Sequence, residues 1–221
     1  MSLRVVIAGG HGNIALHLTK ELSGRGDTVI GLIRNPSHVH DVHTAGGEAL
    51  LLNLEHAPQA DVVEALEGAD AVVFAVGAGP GSGAARKDTV DRGAAVLLAD
   101  AAEKAGVRRF IQISAFGAGA PVPDGADEVW AAYLTAKTEA EQDLMQRATL
   151  DWTILRPGLL TNDEPSGLVS LSSESIPKDS VSRADVAAVL AALLHTDHTV
   201  NQILHLTQGT TEIPEAVANS A

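Results

Sequence analysis

A strand followed at once by a glycine turn restricts the fold of this chain more than any other feature of its sequence. The apolar run of residues 5–8 ends in Gly9, and Gly12 and Ala15 follow at intervals of three residues. Because glycine has no Cβ, the turn can bend sharply and a phosphate can approach the backbone amides that open the next helix. The GxxGxxA spacing is one form of the dinucleotide-binding fingerprint, and it predicts a strand, a tight turn and a helix.

Strands and helices alternate along the rest of the chain at intervals close to the size of a βαβ unit. The apolar run of residues 71–76 predicts a parallel strand that is buried on both faces. Residues 88–105 are expected to form a long helix that ends at Gly106, and residues 128–148 a second long helix. The pattern predicts an α/β fold, a Rossmann-like doubly wound parallel sheet in three αβα layers, as a single domain over residues 1–221. Within it, the irregular residues 159–180 are expected to form a lid or a substrate wall, with a short strand at 168–171.

Composition excludes several classes of function. The 221-residue chain has a formal net charge of −13, so it lacks the basic stripe that binding to DNA or RNA requires. Aromatic residues make up 3% and cysteines are absent, which leaves few stacking platforms for bases, no thiolate chemistry and no disulfide. No apolar run is long enough to span a membrane, and the glycine turn interrupts the segment that a signal peptide would need. We therefore expect a cytoplasmic protein with a small-molecule substrate, no nucleic-acid or membrane partner, and long helices that can support a homodimer.

Candidate cofactor contacts follow the strands, because ligands of such sheets bind beyond the C-terminal strand ends. Arg34 follows the second predicted strand, where a basic side chain accommodates the 2′-phosphate of NADP and an acidic one would bind the ribose of NAD. NADP(H) is therefore favoured over NAD(H), with a solvated surface arginine as the alternative. Asn53 follows the third strand and is placed to bond an adenine edge. The glycine-rich residues 77–83 follow the fourth strand and let the backbone pass close to the cofactor.

Candidate catalytic residues follow the fifth strand. Ser114 ends that strand, and Tyr133 and Lys137 are four apart, which places them on one face of the next helix. A lysine ammonium beside a phenol favours the phenolate, so Tyr133 is expected to exchange a proton near neutral pH. A serine hydroxyl nearby can bond the oxygen of a carbonyl or alcohol. A chance pair on a helix surface is the alternative, and Trp130 is expected either in the wall of a substrate pocket or in the core.

Three histidines bring metal-binding side chains close together in the sequence. His40 and His43 can share a helix face, but His38 then points elsewhere, and Asp41 is the acid beside them. We therefore expect a solvated helix and no metal site.

Seven segments spread along the chain carry a family resemblance. They are residues 8–15 (Ala-Gly-Gly-His-Gly-Asn-Ile-Ala), 34–36 (Arg-Asn-Pro), 70–75, 105–110 with 113–114, 133–137 with 139–141, 151–158 and 182–187. Together they resemble the atypical or extended short-chain dehydrogenases/reductases, in the NAD(P)-binding group with NmrA-like and biliverdin-reductase-B-like proteins. In that family a serine, a tyrosine and a lysine carry reduction or epimerisation, which the resemblance assigns to Ser114, Tyr133 and Lys137. The family's nicotinamide-flanking loop falls by the same resemblance on Pro157, Gly158 and Leu159.

The resemblance implies an NAD(P)-dependent oxidoreductase that transfers hydride between the nicotinamide and a small carbonyl or alcohol. A sugar-nucleotide-like epimerase or dehydratase is a close variant that the same residues permit. A second hypothesis is an NmrA-like NADP(H)-binding redox sensor without turnover, because little sequence follows Leu159 where extended members carry a substrate domain. The turn also has Gly10-His11 where relatives commonly have Ala-Thr, and His11 is expected either to touch a phosphate or to face solvent. The expected cofactor contacts are Gly9, Gly10, His11, Gly12, Asn13, Ile14, Arg34, Asn53, Leu54, Ala75, Val76, Gly77, Lys137, Pro157, Gly158 and Leu159.

Overall fold

Short apolar runs form the strands of this protein in a computed structural model that describes residues 2–79 and 81–220. The strands are β1 (Arg4–Ala8), β2 (Thr28–Ile33), β3 (Glu48–Leu51), β4 (Ala71–Phe74), β5 (Arg109–Ile113), β6 (Asp151–Pro157), β7 (Leu159–Thr161), β8 (Leu168–Ser172), β9 (Ser180–Ser182), β10 (Gln202–Gln208) and β11 (Thr211–Glu212). The helices are α1 (Asn13–Gly24), α2 (Val39–Thr44), α3 (Gln59–Ala65), α4 (Ala84–Arg86), α5 (Ala94–Ala105), α6 (Glu128–Met145), α7 (Arg183–Leu194) and α8 (Ile213–Ala218). A 3-10 turn, Pro36–His38, precedes α2, and a π-helical segment, Lys87–Gly93, joins α4 to α5.

The main sheet has the strand order β11-β8-β10-β6-β5-β4-β1-β2-β3. The strands from β3 to β10 in this order pair in parallel, and β8 pairs antiparallel with β10 and β11. The order reverses between β1 and β4, which is where doubly wound sheets open a crevice for ligands. The predicted Rossmann-like α/β fold is thereby confirmed, with an antiparallel edge added to the parallel sheet.

A hydrophobic core lies on each face of this sheet. Val5 and Ile7 of β1 pack into the core that contains α1 and α7, while Val6 and Ala8 pack into the core that contains α3, α5 and α6. The side chains divide in this way because successive residues of a strand point to opposite faces. Phe74 in β4 is fully buried, as the prediction of a doubly covered strand requires.

Two segments differ from the simple helix and strand pattern. The predicted helix of residues 88–105 begins earlier, at Ala84, and contains the π-helical segment, a feature that often marks functional sites. In the irregular segment, β8 joins the main sheet, whereas β7 and β9 pair in parallel as a small separate sheet. No helix in the described part of the chain has both the length and the apolar character needed to cross a membrane.

Candidate active site

Glycines let β1, the turn and α1 meet at close quarters. Gly9 has φ = +80°, and a Cβ there would lie 2.8 Å from the carbonyl oxygen of Ala75. A Cβ on Gly10 would lie 2.5 Å from the Cα of Gly31, so Gly10 is required for packing against β2. Gly12 is the N-cap of α1 and has no side chain to occupy the first-turn amides. Those amides therefore stay available to a phosphate, which the helix dipole also favours.

A cleft of about 230 Å³ opens beside this turn. Most of the cofactor contacts predicted for the first half of the chain line it: Gly9, His11, Gly12, Arg34, Asn53, Leu54, Ala75, Val76 and Gly77. Arg34 is exposed at the wall of the cleft. The carboxamide oxygen of Asn53 accepts the amide of Glu55 at 3.2 Å, so its amino group is the part left for a ligand.

The His11 side chain is bound within the protein. Its Nε2 lies 2.7 Å from Oδ2 of Asp41, and its ring stacks on His38 with the centroids 3.5 Å apart. His38, which the sequence pattern presented as a candidate metal ligand, is in fact part of the cleft wall. Two predicted cofactor contacts, Gly10 and Asn13, are not among the described residues that line this cleft or the cavity beside it.

A larger cavity of about 640 Å³ adjoins the cleft, and the two share the residues from Ala75 to Gly77. It is lined by all three predicted catalytic residues, Ser114, Tyr133 and Lys137. The remaining predicted contacts line it as well: Ile14, Pro157, Gly158 and Leu159. These residues come from separate parts of the chain and meet because the carboxyl ends of β4, β5 and β6 lie side by side.

Ser114 has a buried hydroxyl group that makes no hydrogen bond within the described part of the chain. The residue is 3% exposed, and its Oγ has no hydrogen-bond partner among residues 2–79 and 81–220. Its backbone amide donates to the carbonyl oxygen of Leu155 at 2.8 Å, which fixes its position at the end of β5. A buried hydroxyl without a partner costs about 1–3 kcal/mol, and an oxygen of a ligand in the cavity would remove that cost.

Lys137 is buried and surrounded by oxygen atoms. Its Nζ donates to the carbonyl oxygens of Ile113 at 3.2 Å and Val76 at 3.5 Å, and it lies 3.4 Å from Oδ1 of Asp91. The other carboxylate oxygen of Asp91 accepts the amide of Ala78 at 3.2 Å. Burial lowers the pKa of Lys137, while the negative charge of Asp91 opposes this and favours the ammonium.

Tyr133 lies in a different environment from the one that its spacing to Lys137 predicted. The Nζ atoms of Lys87 and Lys137 are 5.2 Å and 5.9 Å from the centroid of its ring. Burial raises the pKa of Tyr133, and the negative charge of Asp91 raises it further, so the phenol stays protonated at neutral pH. The prediction that a neighbouring ammonium favours the phenolate is therefore wrong for this structure, because desolvation dominates.

Sequence reasoning missed five charged residues that line the cavity, namely Asp127, Lys178, Arg183 and the pair Lys87 and Asp91. Lys87 and Asp91 both lie on the π-helical segment, four residues apart, and the Nζ of Lys87 donates to the carbonyl oxygen of Gly79 at 3.2 Å. The sequence feature that could have indicated them is the Lys-x-x-x-Asp spacing after the glycine-rich loop, because this spacing places both side chains on one helix face. Such pairs are common on helix surfaces, and the π-helical turn that buries Asp91 leaves no mark in the sequence.

Trp130 belongs to the wall of the cavity. Its ring stacks on that of Tyr133 with the centroids 5.3 Å apart, and the residue remains 40% exposed. Trp130 was expected either in a pocket wall or in the core, and the structure places it in the pocket wall.

Comparison with known proteins agrees with this geometry. The profile of a protein family described as NAD(P)H-binding matches residues 9–197. This chain belongs to that NAD(P)H-binding family. This NAD(P)H-binding protein is similar to the uncharacterized sugar epimerase YhfK of Bacillus subtilis. The two sequences are 32% identical over 97% of this chain and 99% of that protein.

Two solved structures are similar in fold and sequence to this NAD(P)H-binding protein. One is a candidate NAD-dependent epimerase/dehydratase from Bacillus halodurans, with a TM-score of 0.89 and 34% identity, covering 98% of this chain and 99% of that chain. The other is the oxidoreductase ylbE from Lactococcus lactis, with a TM-score of 0.83 and 28% identity, covering 98% and 95%.

The residues present fit a nicotinamide dinucleotide. The uncapped start of α1 after Gly12 suits a pyrophosphate, and the continuous space from the cleft to the cavity suits an extended two-part ligand. Ser114, whose hydroxyl has no hydrogen-bond partner among the described residues, lines the cavity part of that space.

Proposed function

We propose that this protein is an oxidoreductase that uses NADP(H) to interconvert a carbonyl group and an alcohol in a small substrate. One observation carries the proposal: Ser114, Tyr133 and Lys137 line a single cavity that opens onto the cleft beside the glycine turn. A bound nicotinamide supplies or accepts the hydride. The residues of the chain then have to position the substrate oxygen and exchange one proton with it.

Ser114 and Tyr133 act on that oxygen in this proposal. The Oγ of Ser114 donates a hydrogen bond to the carbonyl oxygen, because it has no competing partner among the described residues. Tyr133 delivers the proton, since its raised pKa keeps the phenol protonated and therefore able to act as an acid. A protonated phenol suits the proton transfer to the substrate oxygen that carbonyl reduction requires.

Lys137 offsets the charge that remains on Tyr133 once the proton has left, and it anchors the cofactor ribose. Asp91 is a positioning residue for this step. The negative charge of its carboxylate favours the charged form of the buried Lys137, and the carboxylate also accepts the amide of Ala78, which ties the ion pair to the loop after β4.

Arg34 supports NADP(H) rather than NAD(H) as the cofactor. It lines the cleft directly after β2, where a basic side chain accommodates the 2′-phosphate. Glu55, the carboxylate among the described lining residues of this cleft, is bound by Arg86 at 2.7 Å and by Thr89 at 3.0 Å. It is therefore engaged and not free to bind a ribose in place of the phosphate.

Two of the similar proteins are named as epimerases, which supports the epimerase or dehydratase variant of the same site. In that variant a bound cofactor would undergo no net oxidation or reduction, so turnover would consume none. Purified protein that holds its cofactor and consumes none during turnover would favour this variant.

The test is NADPH oxidation across a panel of aldehydes and ketones, with wild type, Tyr133→Phe and Ser114→Ala. Loss of the proton donor is expected to slow reduction about 10²–10⁴-fold. Thr44→Val is the control, since it removes a hydroxyl group from the exposed side of α2, away from the cavity. An unchanged rate in Tyr133→Phe would contradict the assignment, and cofactor binding without turnover of any carbonyl would favour the redox sensor.

A further inference from the structure

One wall of the 640 Å³ cavity lies at the small sheet of β7 and β9. It is lined by Leu159 and Leu160 of β7 and by Lys178 and Arg183, which lie just before and just after β9. Leu159 pairs with Ser180, and its amide donates to the carbonyl oxygen of Asp179 at 3.0 Å. A Cβ on Gly158 would lie 2.0 Å from that oxygen, so only glycine lets the two segments approach. The backbone next to the cavity is therefore held at a defined position.

Two cationic side chains of this wall line the cavity. Lys178 is exposed and directly precedes Asp179, whose carbonyl oxygen is bound by the amide of Leu159. Arg183 is the first residue of α7. The Nη1 of Arg183 donates to the carbonyl oxygen of Leu160 at 3.2 Å and to Oδ1 of Asn162 at 2.8 Å, which orients the guanidinium.

The carboxylates among the described residues of the cavity are already engaged. Asp91 lies against Lys137, and Asp127 accepts the amide of Trp130 at 2.9 Å as the N-cap of α6. Among the described residues that line the cavity, four cationic side chains (Lys87, Lys137, Lys178 and Arg183) outnumber these two carboxylates, in a chain whose net charge is −13. An excess of positive charge in a concave site raises the local concentration of anions.

Exposed apolar side chains also line the same cavity. Trp130 is 40% exposed and Leu159 is 68% exposed, with Val129 beside them. Large apolar side chains left open at a cavity mouth gain contact area when an apolar frame packs on them.

We propose that the substrate is an anionic carbonyl compound, whose carboxylate or phosphate binds Lys178 and Arg183 and whose apolar frame packs on Trp130 and Leu159. The proposal rests on the proposed function, since the reacting carbonyl lies at Ser114. Lys178 and Arg183 select the substrate by charge, and neither of them lines the cleft beside the glycine turn.

The experiment measures binding by calorimetry to protein saturated with NADP⁺, which cannot reduce an aldehyde. The probes are para-carboxybenzaldehyde, its methyl ester and para-formylphenyl phosphate. Wild type is expected to bind the acid about tenfold more tightly than the ester, the size of one charge-assisted hydrogen bond. Lys178→Gln and Arg183→Gln are each expected to remove most of that preference, whereas Arg183→Lys retains part of it.

Lys20→Gln is the matched control, because Lys20 is an exposed lysine on α1, away from the cavity. Tighter binding of the phosphate than of the carboxylate identifies the phosphate as the selected anion, and the reverse order identifies the carboxylate. Equal affinities for acid and ester in wild type, or an acid affinity unchanged in both glutamine variants, would overturn the proposal. Selective binding of the acid without its reduction by NADPH would contradict the proposed oxidoreductase and leave the anion site intact.

Discussion

Asp91 and Lys137 form an ion pair inside the protein, with Oδ1 of the carboxylate 3.4 Å from Nζ of the lysine. Asp91 is fully buried and Lys137 is 3% exposed. Neither charge can turn to bulk water, so each depends on the other. The pair joins the π-helical segment to α6 directly beside the predicted catalytic tyrosine.

Asp91→Asn is expected to lower the free energy of unfolding by about 3–5 kcal/mol, because it leaves the Lys137 ammonium buried without a counter-charge. Burial lowers the pKa of Lys137 in the folded state, so its charged form opposes folding. That opposition is present at neutral pH and is relieved as the pH rises from the lowered pKa toward the unfolded value. The deficit of Asp91→Asn relative to wild type should therefore shrink at alkaline pH, as measured by urea unfolding.

Asp88→Asn is the control for this experiment. Asp88 lies on the same segment but pairs at the surface with Arg92 at 2.6 Å, an interaction expected to contribute at most about 1 kcal/mol. Equal losses of unfolding free energy in Asp91→Asn and Asp88→Asn would show that the buried ion pair stabilises the fold no more than the surface pair does.

The raised pKa of Tyr133 predicts the pH dependence of reduction. Because the phenol stays protonated, kcat/KM for carbonyl reduction should show no loss from tyrosine ionisation between about pH 7 and about pH 9. The measurement is the pH profile of kcat/KM for wild type and Tyr133→Phe. A fall near neutral pH that is present in wild type and missing in Tyr133→Phe would contradict the prediction.

Arg34→Ala is expected to weaken NADPH binding by about 1–3 kcal/mol and to leave NADH binding nearly unchanged, since only NADPH offers the 2′-phosphate. Calorimetric titration of both cofactors gives the comparison. Arg25→Ala, which removes an exposed arginine after the end of α1, serves as the control. Equal losses for the two cofactors would remove the 2′-phosphate role from Arg34.

Gly10→Ala tests whether the second glycine of the turn serves packing. Its added Cβ would meet the backbone of Gly31 at 2.5 Å, so we expect a loss of about 1–3 kcal/mol in the free energy of unfolding. At Gly24, in the last turn of α1, a Cβ would meet nothing within 4 Å. Gly24→Ala should therefore be neutral or slightly stabilising, and a similar neutral result at Gly10 would refute the packing role.

The sequence predicted the layout of the fold because the features that set it are local. The apolar run of β4 indicates a strand buried on both faces, and the glycines near the start of the chain indicate a tight turn. The carboxyl ends of parallel strands must also lie at one edge of the sheet. For that reason Ser114, Tyr133 and Lys137 were expected near the glycine turn and do line a cavity that adjoins it. Their chemical roles remain predictions.

The charge environment of the site was not predictable in the same way, because it depends on burial. Tyr133 and Lys137 have the spacing that suggests a lowered phenol pKa, yet desolvation and Asp91 reverse the direction. Asp91 itself turns inward through a π-helical segment, and helix periodicity in the sequence does not distinguish that segment from an ordinary α-helix. The contacts of His11 with Asp41 and His38 were likewise not predictable, because only the fold brings these residues together.

The contact between Gly158 and Asp179 bears on how the substrate preference of this protein could be redesigned. Residues 173–179 run between β8, which belongs to the main sheet, and β9, which belongs to the small one. Both ends of this span are anchored by strand pairing, and neither anchor touches the glycine turn. If the proposed anion site is correct, residues 173–178 are the place to change substrate preference, while Asp179 is kept because its carbonyl oxygen holds Gly158 and Leu159, two of the predicted cofactor contacts.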